Sequence, residues 1–425
     1  MGADTSVRPG SPADAELRWN FSVNLVERVF VTLGMSMISA STILPLLVSE
    51  LTPSKVAVGL VTAVFVVGTM VPQLLTAGYT ESLVYKRPFL SGIALVGGRL
   101  PYLGLAAAVW LLAESQPLLT LGLLFLMILI AALSNGVVIP AWLDMIAKVI
   151  PVRLRGLFFG IGNGLGALLG VAGGLIAGRV LAEFHYPANY ALLFVLATVA
   201  LIISWAGVST TREPPTVDVR PVTPLGVYLR RLPQVLRDNP NYARYLASTA
   251  VTSLGGMGTS FMIVYASERY AVTGTQVGTL TALLIGSQAV ANLFWGVIAD
   301  RKGHQGVLVA GSLVAALAVT ATWAGDGMAW LWVAFIALGV GTAANAVSRM
   351  NIVLEFGGAH DRPTYIGLTN TSLAPVTMAA PVLGGWLIEA AGYVPMFIAT
   401  AVLSVAGGAL LATWFRDPRR LKRPV

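Results

Sequence analysis

Long apolar runs decide what this chain can fold into. Between residues 21 and 415, stretches of about 20 or more residues carry almost no charge, which is helix length for crossing a bilayer. Backbone groups in hydrocarbon must find partners within helices or a closed barrel. Barrel strands alternate apolar and polar residues over about ten positions, whereas these runs are unbroken, so the chain reads as all-α. Charged residues make up only 11% of it, against about a quarter in soluble domains. A lipid bilayer is therefore the expected surroundings. The net charge of +8 reflects bases gathered in loops on one membrane side, so no nucleic acid is expected as a partner. The chain has no cysteine, which removes disulfides and thiolate chemistry.

Apolar patterning predicts twelve transmembrane helices, at about 21–49, 56–79, 88–113, 117–147, 156–183, 188–209, 242–267, 275–299, 306–325, 328–356, 364–390 and 393–415. They divide into an N-terminal six-helix half (21–209) and a C-terminal six-helix half (242–415). Residues 1–20 form a polar tail with no apolar core before a cleavage site, so it is not a signal peptide. Residues 210–241 form a linker and 416–425 a basic tail. Within the linker, Leu225, Tyr228, Leu229, Leu232 and Leu236 share one helical face, which predicts an amphipathic helix on the membrane surface. One side of this topology collects 22 of the 27 Lys and Arg residues. The positive-inside rule then makes both termini and the linker cytoplasmic.

The two halves repeat. Val58-Gly59-Leu60-Val61-Thr62-Ala63 recurs as Val277-Gly278-Thr279-Leu280-Thr281-Ala282, and the run from Arg155 to Asn163 recurs from Arg362 to Asn370. The loop predicted between helices 8 and 9 carries Gly296, Asp300, Arg301, Lys302 and Gly303, followed by His304 and Gln305. Its counterpart in the first half keeps Glu81, Lys86 and Arg87. This arrangement resembles the loop signature of the major facilitator superfamily, with His304 and Gln305 where that family has bases. The resemblance covers about residues 20–415. It implies two pseudo-symmetric six-helix halves that rock about a central site, with helices 1, 4, 7 and 10 lining the cavity. It also implies a conformational latch in which Asp300 and Glu81 sit near the cytoplasmic starts of helices 5 and 11, where Arg155 and Arg362 stand. Asp300 and Glu81 there would face a favourable helix dipole and hold an outward-facing state.

Ionisable groups inside helices cost about 2.5–3.5 kcal/mol on insertion scales, so each needs a reason. Glu27 in helix 1 reads either as an interfacial acid or as a coupling carboxylate, with Asn24 one turn before it. Arg99, deep in helix 3, calls for a carboxylate or carbonyl. Arg349 in helix 10 lies one turn after Asn345, with Glu355 or Glu27 as candidate partners. Helix 4 offers Asn135 and Trp142 on one face, and Asp144 four residues before Lys148. Gly170, Gly173 and Gly174 in helix 5, and Pro381, Gly384 and Gly385 in helix 11, suit close backbone packing with a hinge.

Three histidines without metal-ligand spacing, no nucleotide-binding glycine loop and no nucleophile motif leave no basis for an enzyme, a metal or a cofactor. The resemblance implies instead a monomeric secondary transporter in a prokaryotic plasma membrane, driven by the proton gradient. Trp142, Met35, Met37, Met257 and Phe261 suggest an apolar cavity, hence efflux of a small amphipathic or lipophilic substrate. Two alternatives stay open: import or uniport of a small polar solute, and a membrane assembly or binding factor that transports nothing.

Overall fold

In a computed structural model of the protein, residues 12–216, 234–356 and 362–418 are described. Most of the predicted amphipathic linker helix lies outside these residues, as do residues 1–11 of the tail and all beyond 418. Among the described residues fifteen helices of nine or more residues follow one another: α1 (Pro12–Met37), α2 (Ile43–Leu51), α3 (Lys55–Glu81), α4 (Arg87–Val96), α5 (Leu100–Leu112), α6 (Pro117–Val149), α7 (Val152–Glu183), α8 (Ala188–Ser209), α9 (Pro240–Leu254), α10 (Phe261–Tyr270), α11 (Gly274–Lys302), α12 (His304–Ala324), α13 (Met328–Phe356), α14 (Arg362–Ala391) and α15 (Tyr393–Thr413). Ten spans among the described residues are long and apolar enough to cross a membrane. The first and seventh predicted spans complete the set of twelve, and each is split, as α1 with α2 and as α9 with α10. The third span is also interrupted, between α4 and α5.

These breaks have local causes. The seventh span breaks at Gly255, Gly256 and Gly258, where glycine withdraws helix propensity by about 1 kcal/mol each. In the first span, Ser39 supplies its hydroxyl to the Ser41 amide and its carbonyl to the Leu44 amide, local bonds that compete with the helix. The third span breaks at Gly97-Gly98, where a Cβ on Gly97 would collide with Ser134 Oγ.

Two expectations need correction. Helix begins at Pro12, so residues 12–20, expected to precede the first helix, are part of it. Their polar turn is held by the Asp14–Arg18 pair at 3.0 Å, by the Trp19 indole on Thr210 O and by Asn20 on Arg212. The charged stretch from Gly296 to Gln305 is not a loop either. Asp300, Arg301 and Lys302 form the last turn of α11, and α12 starts at His304. Gly303 alone stands between them with φ +93°, a conformation that only glycine adopts without strain.

A continuous apolar core joins the halves at the end of the bundle opposite the termini. It includes Leu44 and Leu47 of α2, Val58 and Val61 of α3, and Phe261 and Met262 of α10, all almost fully buried. Smaller clusters sit within single halves at the termini end, such as Tyr242, Tyr245, Tyr365 and Phe415 in the second half.

Candidate functional site: a cavity between the halves

Spans 5 (α7) and 8 (α11) pack together at one end and part at the other. A Cβ on Gly178 would lie 2.6 Å from Gly278 Cα, and one on Gly174 would lie 3.2 Å from Ala282 N. Spans 2 (α3) and 11 (α14) meet in the same way, with Gly59 against the Pro381 carbonyl and Gly385 against the Lys55 carbonyl. Glycine permits this approach because the backbones themselves make the contact. Toward the termini, Gly160, Gly164 and Gly296 have nothing within 4 Å of an added Cβ. Five hydrogen bonds cross between the halves among the described residues, and all lie at the far end: Ser54 and Val56 on Glu389, Lys55 on Glu268, Thr62 with Ser260, and Thr281 on Thr42.

Where the spans part there is a cavity of about 790 Å³. Thr32 of span 1, Asn163 and Leu168 of span 5, Gln288, Asn292 and Leu293 of span 8, and Ala346 and Val347 of span 10 line it. The lining combines uncharged hydrogen-bonding groups with apolar surface and contains no carboxylate. Spans 5 and 8 supply most of it, whereas spans 4 and 7, expected from the resemblance, supply none of these residues. Met37, Met257 and Phe261 are buried in the closed end, and the Met35 sulfur faces the Tyr102 hydroxyl at 3.9 Å. These residues do not furnish the cavity wall.

Behind Thr32 and Asn163 lies a charged cluster. Arg28 donates Nε and Nη2 to Asn163 Oδ1, at 3.2 and 2.6 Å. Its guanidinium lies 5.0 Å from the Phe159 ring and 5.8 Å from the Trp142 ring. Aromatic faces attract a desolvated guanidinium by up to about 2 kcal/mol. Glu27, one residue earlier, is only 9% exposed. The charges of Arg99 and Arg28 act on it, yet it makes no salt bridge among the described residues. Arg99 is 5% exposed and occupies the break before α5 rather than the middle of a helix. Sequence reasoning missed Arg28 and its Asn163–Phe159–Trp142 cradle. The signal was an acid and a base adjacent within one apolar run.

Several other site candidates take different roles. Asn24 donates to Asn20 O and to Thr211 Oγ1, so it ties span 1 to the end of span 6 rather than holding Glu27. Asp144 pairs with Lys86 at 3.0 Å, not with Lys148, which pairs with Glu213 at 2.7 Å. Asn135 is half-buried. Asn345 bonds its own helix at Gly341 O. Arg349 is half-buried, and among the described residues it makes no ion pair with Glu27; its carbonyl accepts from the Tyr245 hydroxyl.

Of the latch residues, Asp300 and Arg301 are exposed, and Asp300 makes no ion pair among the described residues. Arg155 turns back to donate to Ile150 O and Ala147 O, so it caps the end of span 4. The side chains of Glu81 and Arg362 lie outside the described residues. Gly170 packs on Ile285 and Thr32, Gly173 on Ser36, and Gly384 on Met257 O. Among the described residues no group of three His, Cys, Asp or Glu could hold a metal ion.

Comparison with known proteins identifies the architecture. The Major Facilitator Superfamily model matches residues 245–425. The tetracycline resistance protein, class B, of Escherichia coli is 25% identical over 145 residues, 34% of this chain and 36% of that relative's length. The match thus spans about a third of that protein. Among solved structures, a bacterial homologue of the human lysosomal transporter Spinster, inward-facing and unoccupied, has a TM-score of 0.68 at 15% identity, covering 96% of this chain and 98% of that one. A D-xylose–proton symporter has a TM-score of 0.68 at 11% identity over 96% and 99%. A nucleoside transporter has 0.66 at 13% identity over 94% and 100%.

Proposed function

We propose that this chain is a member of the major facilitator superfamily, a multi-pass membrane transporter and not an enzyme, and that it carries a small amphipathic molecule out of a prokaryotic cell in exchange for protons. One observation carries this reading: a cavity between two six-helix halves is sealed at the far end and parted toward the termini. With the basic end cytoplasmic, this is an inward-open state of an alternating-access cycle. The parted end argues against a factor that merely binds other membrane components.

The wall explains the substrate class. Thr32, Asn163, Gln288 and Asn292 offer hydrogen bonds beside Leu168, Val171, Ile285 and Leu293, which suits a ligand with one polar and one apolar side more than a wholly lipophilic one. Glu27 is the coupling carboxylate. Its neighbour Arg28 donates to Asn163 in the cavity wall, so a proton on Glu27 changes the net charge beside Asn163. Outward transport is supported by the cavity's opening to the cytoplasm and by the resistance protein among its relatives.

The test uses purified protein in liposomes as a monomer, with a panel of amphipathic and polar solutes and a proton-sensitive dye. The expected result is ligand-dependent proton movement in the wild type that is lost in Glu27→Gln while ligand binding persists. Equal proton movement in both proteins would remove Glu27 from the coupling role.

A further inference from the structure

The sealed end is held by charges that neither the cavity nor the inner latch uses. Lys55 at the start of span 2 reaches across to Glu268 of span 7 at 2.5 Å. Glu389, at the end of span 11, accepts from Ser54 Oγ at 2.9 Å and from the Val56 amide at 3.1 Å. The carboxylate of one half thereby caps the first helical turn of the other, where orphan amides and the helix dipole favour a negative charge. Both acids are exposed, so bulk solvent at that face reaches them.

We propose that Lys55, Glu268 and Glu389 form an outer clasp that holds the inward-open state, and that external protons release it. The inference rests on the alternating-access reading and adds the residues that govern one of its two gates. The groups facing the clasp are few. Lys55 lies 5.8 Å from the Tyr393 ring of span 12. Arg269, beside Glu268, is turned to the Tyr265 and Tyr270 rings and donates to the Tyr270 hydroxyl, with Asp326 acting on it from the next loop. Lys55 is thus the base left for Glu268, and Glu389 holds the helix start only while it carries charge. Protonating either acid removes an attraction between the halves that exists solely when this face is shut.

The chain has no cysteine, so spin labels placed at Thr52→Cys and Ala391→Cys report the width of this face alone. Distances are measured by pulsed electron resonance in liposomes at about pH 7.5 and about pH 3.5, above and below the ordinary carboxylate range, since the Val56 and Ser54 hydrogen bonds favour the charged form of Glu389. The expected result is one short distance at the higher pH, with a longer one growing several-fold on acidification. Glu389→Gln and Glu268→Gln should show the longer distance already at the higher pH. The exchange Lys55→Glu with Glu268→Lys should restore the short one, which separates the clasp from a folding defect. Distances unchanged by pH and by both single variants would overturn the inference. Distances that move as expected in a protein that carries no solute would leave the clasp standing and remove the transport reading; a fixed gate in an active transporter would do the reverse.

Discussion

Gly178 offers the sharpest handle on the conformational cycle. In the structure, proposed to be the inward-open state, its α-carbon faces Gly278 across the halves, and an alanine Cβ there would sit 2.6 Å from Gly278 Cα and 3.0 Å from Gly274 O. Ordinary carbon contacts lie at about 3.5–4.0 Å, so the outer ends of spans 5 and 8 would have to separate by roughly 1 Å. Overpacking of this kind costs about 1–3 kcal/mol. The cost falls on the closed outer face alone, because the outward-open state separates these helices. Gly178→Ala should therefore shift the population outward by about 5- to 150-fold. Alanine also stabilises a helix by about 1 kcal/mol over glycine, and Gly164→Ala controls for that, since nothing lies within 4 Å of a Cβ at Gly164. The readout is labelling from outside of Ala282→Cys, a residue buried at the closed interface. Labelling that is the same in Gly178→Ala and Gly164→Ala would refute the argument that this contact holds the outer face shut.

Other expectations follow from single residues. Glu213 has a side chain only 1% exposed that pairs with Lys148 and accepts from the Lys86 and Arg87 amides; Glu213→Ala should cost about 3–5 kcal/mol of stability, seen as a lowered melting temperature in detergent. Asp300→Asn should change stability by less than about 0.5 kcal/mol because Asp300 is exposed, yet slow transport if the carboxylate latches the opposite state; an unchanged rate would dismiss the latch. Asn163→Ala removes the acceptor of two Arg28 bonds and should weaken ligand binding by about tenfold or more, as charge-linked hydrogen bonds contribute about 1.5–3 kcal/mol; titration of the wild type and variant with a transported ligand checks it.

The all-helical class and the apolar spans were legible because each depends on local composition. Side-chain partners were not, because the fold brings them from elsewhere. Spacing offered Asp144 the nearest base, Lys148, four residues on; the fold gives it Lys86 and sends Lys148 to Glu213. Asn24 shares a helical face with Glu27, but its partner is Thr211, 187 residues away. Facing was the other hidden quantity. Met257 and Phe261 looked like cavity residues on a continuous helix. A run of glycines interrupts that helix beside them, and both end in the core. Continuous apolar runs conceal such breaks, since glycine is as compatible with lipid as the residues around it.

The repeat runs deeper than the matching strings in the sequence. Asn20 donates to Arg212 O and accepts from Arg212 N, at 2.9 and 2.8 Å; Asn241 does the same with Arg416, at 2.7 and 3.0 Å. An acid and a proline follow each arginine, as Glu213-Pro214 and Asp417-Pro418. Glu213 accepts from the amides that open span 3. Asp417 reaches the start of span 9, where its Oδ2 would lie 2.5 Å from a Cβ on Gly303. Gly303 is thus required twice, by its positive φ and by this carboxylate. His304 and Gln305, standing where the family that the loop resembles has bases, serve packing: His304 is buried against Ser348, and Gln305 donates to Leu411 O and Phe415 O. Each half in this way binds its first, third and sixth spans together at the termini end, through bonds that among the described residues stay within that half. Contacts within halves at one end, and between halves at the other, are what a rocking motion needs. The first kind keeps each half rigid while the second kind breaks.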